Sequence, residues 1–118
     1  MTPFGEKVRA LRKARRVTLK KMATDLNVSA AYLSALEHGH RGRPSWDLVQ
    51  RICGYFQIIW DEAEDLQRLA QLSHPRITID TSGLSPKATE LANRLAREIS
   101  DLPESQIETL LSQLKEGE

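Results

Sequence analysis

Five times along this chain a serine or threonine stands directly before a run of apolar residues at helical spacing: Thr2-Pro3, Thr18, Ser29, Ser45 and Ser85-Pro86. A hydroxyl at that place accepts from a free backbone N–H of the first turn, and a proline just inside already holds a helical φ. Such punctuation predicts an all-α chain of short helices joined by tight turns. Phe4, Val8 and Leu11 set the buried face of the first helix, and Leu19, Met22, Ala23 and Leu26 that of the second. Val28 precedes the Ser29 cap and Leu33 sits at the fourth helical position, a hydrophobic staple that fixes the entry angle of the third helix. Leu36 extends that stripe, and Gly39 supplies a stop tolerant of positive φ. A fourth helix runs from the Ser45 cap to Phe56 with Leu48, Ile52 and Cys53 inward. A fifth, over about 60–73, turns Ala63, Leu66, Leu69 and Ala70 to one side.

Beyond His74-Pro75 the pattern changes. Arg76-Ile77-Thr78-Ile79-Asp80 alternates with period two and predicts a short strand before the turn at Thr81-Ser82-Gly83. Two amphipathic helices follow. The first carries Ala88, Leu91, Ala92, Leu95, Ala96 and Ile99, and the second Ile107, Leu110, Leu111 and Leu114, with Asp101-Leu102-Pro103-Glu104 as an expected cap between them. A strand of five residues needs a partner for its backbone groups, and the chain offers no second convincing strand. Pairing with a second copy is the simplest solution. The expected dimerisation residues are therefore Ile77, Ile79, Leu91, Leu95, Ile99, Ile107, Leu110, Leu111 and Leu114. The expected division is a head over 1–73 and a dimerisation or interaction segment over 74–118.

Charge divides the chain in the same way. Residues 1–60 hold eleven lysines and arginines against four acids, a net +7, whereas 61–118 hold six against twelve, a net −6. The formal total of +1 hides a basic front suited to a polyanion and an acidic back suited to something else. With 118 residues, 40% of them apolar, there is room for one globular domain and an appendage. No apolar stretch approaches the ~20 residues of a membrane-spanning helix. The basic N-terminus lacks the apolar block of a secretory signal, and the lone Cys53 excludes an intrachain disulfide. The expectation is a cytoplasmic protein.

The segment from Val17 to Ser45 reads V-T-L-K-K-M-A-T-D-L-N-V-S-A-A-Y-L-S-A-L-E-H-G-H-R-G-R-P-S. It resembles the phage-repressor and Cro-like (XRE-type) helix-turn-helix family. Thr18, Ala23, Val28-Ser29, Leu33, Leu36, Glu37, Gly39 and Pro44-Ser45 match the family pattern at fixed spacing, and the resemblance covers about residues 4–72. It implies a five-helix head whose third helix lies in the DNA major groove, and it places Arg12 and Glu37 as an internal structural pair.

A recognition helix needs one face for base edges, one for the core, and flanking donors for phosphates. Ser29, Ala30, Ala31, Tyr32, Ser34 and Ala35 lie off the Val28/Leu33/Leu36 stripe and are the expected groove-facing residues. Thr18, Lys20 and Lys21 open the second helix as expected phosphate contacts. His40, Arg41 and Arg43 extend a basic loop towards the backbone or the neighbouring minor groove. Many relatives carry Gln, Arg or Asn on this helix. The three alanines, two serines and one tyrosine here suit thymine methyls and DNA shape better than guanine.

Other residues take plainer readings. His38, His40, Cys53 and His74 match no compact ligand spacing, so no metal or other cofactor is expected. Cys53 reads as a small core residue, and the acids Asp61, Glu62, Glu64 and Asp65 suit the start of a helix. There is no nucleophile–base pair or phosphate-cradling glycine loop, so an enzyme is not expected. The first reading is a sequence-specific DNA-binding regulator, a repressor acting as a homodimer on a pseudopalindrome. Activation through RNA polymerase is the variant of that reading. The alternative is an antitoxin-like module whose tail binds a toxin-like protein while the head autoregulates transcription.

Overall fold

The computed structural model describes residues 1–116, and the chain divides into two compact units, Met1–Ile77 and a second that begins at Thr78. The first unit holds α1 (Pro3–Arg15), α2 (Leu19–Asp25), α3 (Ala30–Glu37), α4 (Trp46–Phe56) and α5 (Trp60–Gln71). The second holds α6 (Pro86–Glu98), a single 3-10 turn at Ile99–Asp101, and α7 (Glu104–Lys115). All four head caps form. Thr2 Oγ1 accepts from the Gly5 amide at 3.0 Å, Thr18 from Lys21 at 3.0 Å, Ser29 from Tyr32 at 3.0 Å and Ser45 from Leu48 at 3.2 Å. The turns between them use the left-handed region at Arg16, Asn27 and Gln57.

Around these caps the head closes over one core of Phe4, Val8, Met22, Leu33, Leu36, Leu48, Val49, Ile52, Phe56, Leu66 and smaller neighbours. Each fully buried large side chain contributes about 1.5–3 kcal/mol of transfer free energy. α1 packs on α3 and α5, α2 on α3, and α4 on α5. The approach of α1 to α3 depends on Gly5. A Cβ there would lie 2.0 Å from the Glu37 carbonyl oxygen, so only glycine lets the two backbones meet. Ser73 ties the end of α5 to the start of α1, its buried hydroxyl accepting from the Phe4 amide at 2.9 Å and donating to the Leu69 carbonyl.

Two expectations are corrected beyond residue 75. Residues 76–80 are not a strand, and no strand occurs among the described residues. Period-two alternation sets which side chains share a face, but a strand exists only when its backbone groups find a partner. Here Asp80 instead starts a turn, accepting from the Ser82 amide at 2.9 Å, and the Leu84 amide closes it onto the Thr81 carbonyl at 3.0 Å. Hydrogen bonds from the Ser82 hydroxyl and amide hold the Asp80 carboxyl below its usual range. The second correction concerns α7. It starts at Glu104 behind Pro103, which has no side chain to cap it, and Asp101 lies instead in the 3-10 turn. The Ser85 cap of α6 does form, at 3.2 Å to Ala88.

Candidate nucleic-acid interface

The site is built on α2, α3 and the loop that follows α3. α2 is two turns long and presents Thr18, Lys20 and Lys21 to solvent. Lys21 is not free: its Nζ lies 3.0 Å from Asp25 Oδ1, one helical turn on. The other Asp25 oxygen accepts from the Tyr55 hydroxyl at 2.7 Å, which reaches across from α4. That hydrogen bond, with help from Lys21, holds the Asp25 carboxyl below the usual range, and the same bond pushes the Tyr55 phenol up to about 12. At the far end of α2 the Arg51 guanidinium donates to the Leu26 carbonyl and satisfies a helix-terminal acceptor. Two α4 side chains thus fix the C-terminal end of α2 before the turn.

The turn itself is Leu26-Asn27-Val28, with Asn27 at φ 58°. It delivers Ser29 as the cap of α3, whose Leu33 and Leu36 are buried. Glu37 closes the helix from inside, 2% exposed, and Arg12 of α1 grips it with three hydrogen bonds, from Nη2 to Oε1 at 3.0 Å and to Oε2 at 3.2 Å, and from Nε to Oε2 at 3.3 Å. A buried carboxylate held this way sets where α3 sits on α1. The Glu37 carbonyl also accepts from the Thr2 amide at 3.0 Å.

With that face anchored, the opposite one is what α3 can offer a ligand. Ser29 and Ala31 are exposed, while Ala30, Tyr32, Ser34 and Ala35 are half-buried, and Ala30 and Tyr32 lean against the core. Beyond the helix, His40, Arg41 and Arg43 are exposed. Gly39 and Gly42, at φ 82° and 76°, fold the loop back on itself. The Arg41 guanidinium comes to 5.8 Å above the ring of Tyr32. His38 and His40 stack with centroids 6.4 Å apart. Cations therefore flank α3 on both sides, at Lys20 and Lys21 and at Arg41 and Arg43.

Several residues around the site lie outside the set expected from the sequence. Arg51 reads as one more solvated cation and Tyr55 as an ordinary aromatic, since neither their reach to α2 nor their partners have a local signature. Trp46, 67% exposed, lines a cleft of about 240 Å³ with Arg43, Val49 and Ala70. Its place straight after the Ser45 cap, beside the basic loop, is the one local signal a sequence offers for it. Ile59 and Trp60 are 67% and 80% exposed, and Trp60 holds a left-handed φ of 53°. Cys53 is buried in the head, and that burial pushes its thiol up.

The residues expected to join two copies lie in the open. Ile77, Ile79, Leu91, Ile99, Leu111 and Leu114 are exposed, and Leu95, Ile107 and Leu110 are half-buried. No residue of α6 or α7 is buried. Among the described residues no helix is long and apolar enough to cross a membrane.

A capped two-turn helix, a tight turn and a second helix gripped by a buried ion pair define a helix-turn-helix unit. A family model described as a helix-turn-helix domain matches residues 3–66, more than half of the chain, and the chain belongs to that family. Two relatives come from Bacillus subtilis (strain 168). The HTH-type transcriptional repressor RghR is 38% identical over 61 residues, and the uncharacterized HTH-type transcriptional regulator RghRB is 31% identical over 61 residues. Each match covers 52% of this chain, and 45% and 44% of those two proteins, so the chain spans less than half the length of the curated relatives it matches. No solved structure matches.

Proposed function

We propose that this chain is a DNA-binding transcriptional regulator, a repressor that binds a pseudopalindromic operator as a homodimer. The observation that carries the reading is α3 itself: one face locked by Leu33, Leu36 and the Arg12–Glu37 pair, the other small-featured and open, with exposed cations at both flanks. That is the arrangement that lays a helix in a major groove while lysines and arginines take phosphates. The two relatives, named as a transcriptional repressor and a transcriptional regulator, support the same direction. Ser29, Ala30, Ala31, Ser34 and Ala35 meet base edges, Thr18, Lys20 and Lys21 meet one strand's phosphates, and His40, Arg41 and Arg43 meet the backbone further along. With no long polar side chain among the five, thymine methyls and groove shape supply much of the selectivity.

Dimerisation is assigned to the second unit. α6 and α7 bury no residue and leave Leu91, Leu111 and Leu114 in water. A second copy covers them at the lowest demand on sequence, by symmetry. Two recognition helices then enter successive major grooves, with half-sites ~10 bp apart or a multiple of that.

The test is capture and sequencing of genomic fragments by the purified full chain at roughly physiological salt, where counterion-driven background is low. A two-fold symmetric motif near promoters is expected. Captured DNA without any motif overturns the sequence-specific reading.

A further inference from the structure

We infer that Tyr32 is a positioning residue for Arg41: its ring, in the first turn of α3, holds the guanidinium beside that helix, aimed at a phosphate of the bound duplex, and it does not itself read a base. The inference rests on the DNA-binding reading and deepens it. Tyr32 sits on α3 among the expected groove-facing residues, yet it is half-buried and leans against the core, so its ring is a fixed surface. The loop that follows is reversed by two left-handed glycines, Gly39 at φ 82° and Gly42 at φ 76°. Between them stands Arg41, whose guanidinium lies 5.8 Å from the ring centroid of Tyr32. That separation is within the range of a cation–π contact. Arg41 has no carboxylate partner among the described salt bridges, unlike Lys21 with Asp25 or Arg12 with Glu37.

The chemistry follows from what a phosphate contact requires. A free arginine in a glycine-flanked loop must be immobilised on binding, and the entropy lost in doing so subtracts from affinity. A guanidinium resting on a fixed ring has part of that ordering already done. Its N–H edge stays available for a phosphate, because the ring takes only its face. α3 offers no guanidinium or side-chain amide of its own along 30–37, so its anion contacts come from neighbouring cations, and Arg41 is the one of them that rests on an α3 ring.

A double-mutant cycle on the full chain tests this, with the captured genomic duplex and a scrambled duplex as probes. Tyr32→Phe keeps the ring and is expected to bind as wild type does. Tyr32→Leu is expected to lose about two- to fivefold, the worth of an exposed cation–π contact. In an Arg41→Ala background Tyr32→Leu is expected to lose nothing more. Arg41→Ala itself lowers the slope of log affinity against log salt by about 0.9, the signature of one phosphate contact. In the free protein, the Arg41 side-chain protons show the upfield displacement of a group above a ring, lost in Tyr32→Leu and kept in Tyr32→Phe. An equal loss for Tyr32→Leu in both backgrounds overturns the inference alone, since it means that Tyr32 acts on the DNA or on the fold independently of Arg41. Undisplaced Arg41 protons in the wild type also overturn it, whatever the DNA does. A wild-type chain that binds both duplexes equally, or neither, overturns instead the sequence-specific reading on which it stands.

Discussion

The two units of this chain are equally helical and very differently buried. In Met1–Ile77 fifteen apolar residues are withdrawn from water, whereas from Thr78 to Glu116 none is. Both use the same local devices: serine caps at Ser45 and Ser85, proline in the first turn of α1 and α6, and exposed ion pairs one turn apart at Lys21–Asp25 and Glu90–Arg94. Local signals write helices; they do not write a core. A core needs faces that meet from distant parts of the chain, and most helical stability in proteins comes from that packing. The head achieves it by letting α1, α3 and α5 converge through Gly5, Glu37 and Ser73. The second unit keeps its apolar stripe on offer.

The largest expected effect separates the two kinds of ion pair. Glu37→Ala strands the Arg12 guanidinium in the head and is expected to cost roughly 3–5 kcal/mol in denaturant unfolding. Glu90→Ala in α6, where both partners are solvated, is expected to change stability by no more than about 0.5 kcal/mol. Comparable losses from the two would erase the distinction between the units. Next comes Gly5→Ala, which drives a methyl group to 2.0 Å from the Glu37 carbonyl oxygen. Its unfolding free energy is expected to fall by about 1–3 kcal/mol through forced separation of α1 and α3. An unchanged midpoint would mean that the close approach is not what holds α3 in place.

A third change leaves the head's unfolding almost untouched. Leu91→Asp with Leu111→Asp is expected to shift it by no more than about 0.5 kcal/mol, as exposed substitutions do, while moving sedimentation from dimer to monomer. The smallest effect is in pH. Tyr55 titrates at about 12 in the folded head against 10 when free, so its share of stability is whole below pH 10 and is lost as pH rises towards 12. Asp25 is shifted the other way. Its share is present above the ordinary value of 3.8 and is lost as pH falls through the lowered native value. Tyr55→Phe is expected to flatten both limbs in a denaturant midpoint measured against pH, and a profile identical to wild type would show that the α4–α2 bond does not hold in solution.

Much of the head was legible because its determinants are local. Thr2, Thr18, Ser29 and Ser45 announce their helices within three residues, and the Val28/Leu33/Leu36 stripe orients α3 before any packing is known. Glu37 was legible only through resemblance, since nothing in the sequence alone joins it to Arg12 twenty-five positions away. Arg51 on Leu26, Tyr55 on Asp25 and Ser73 on Phe4 were invisible for the same reason. Each depends on where two helices cross, and a single sequence carries no mark of that. The strand expected at 76–80 failed from the opposite cause: alternation at Ile77 and Ile79 is local, but pairing is not. The angular position of Tyr32 on α3 predicts a groove-facing residue, and the placement of Arg41 over its ring appears only once the loop is folded.

The division of labour between the units is decided by measuring how Leu91→Asp/Leu111→Asp and wild type bind a captured full site and a single half-site. If the head reads DNA and the second unit couples two copies, both proteins bind the half-site equally and only wild type gains affinity on the full site. A variant that keeps the full-site gain, or that loses half-site affinity in step, would contradict that division.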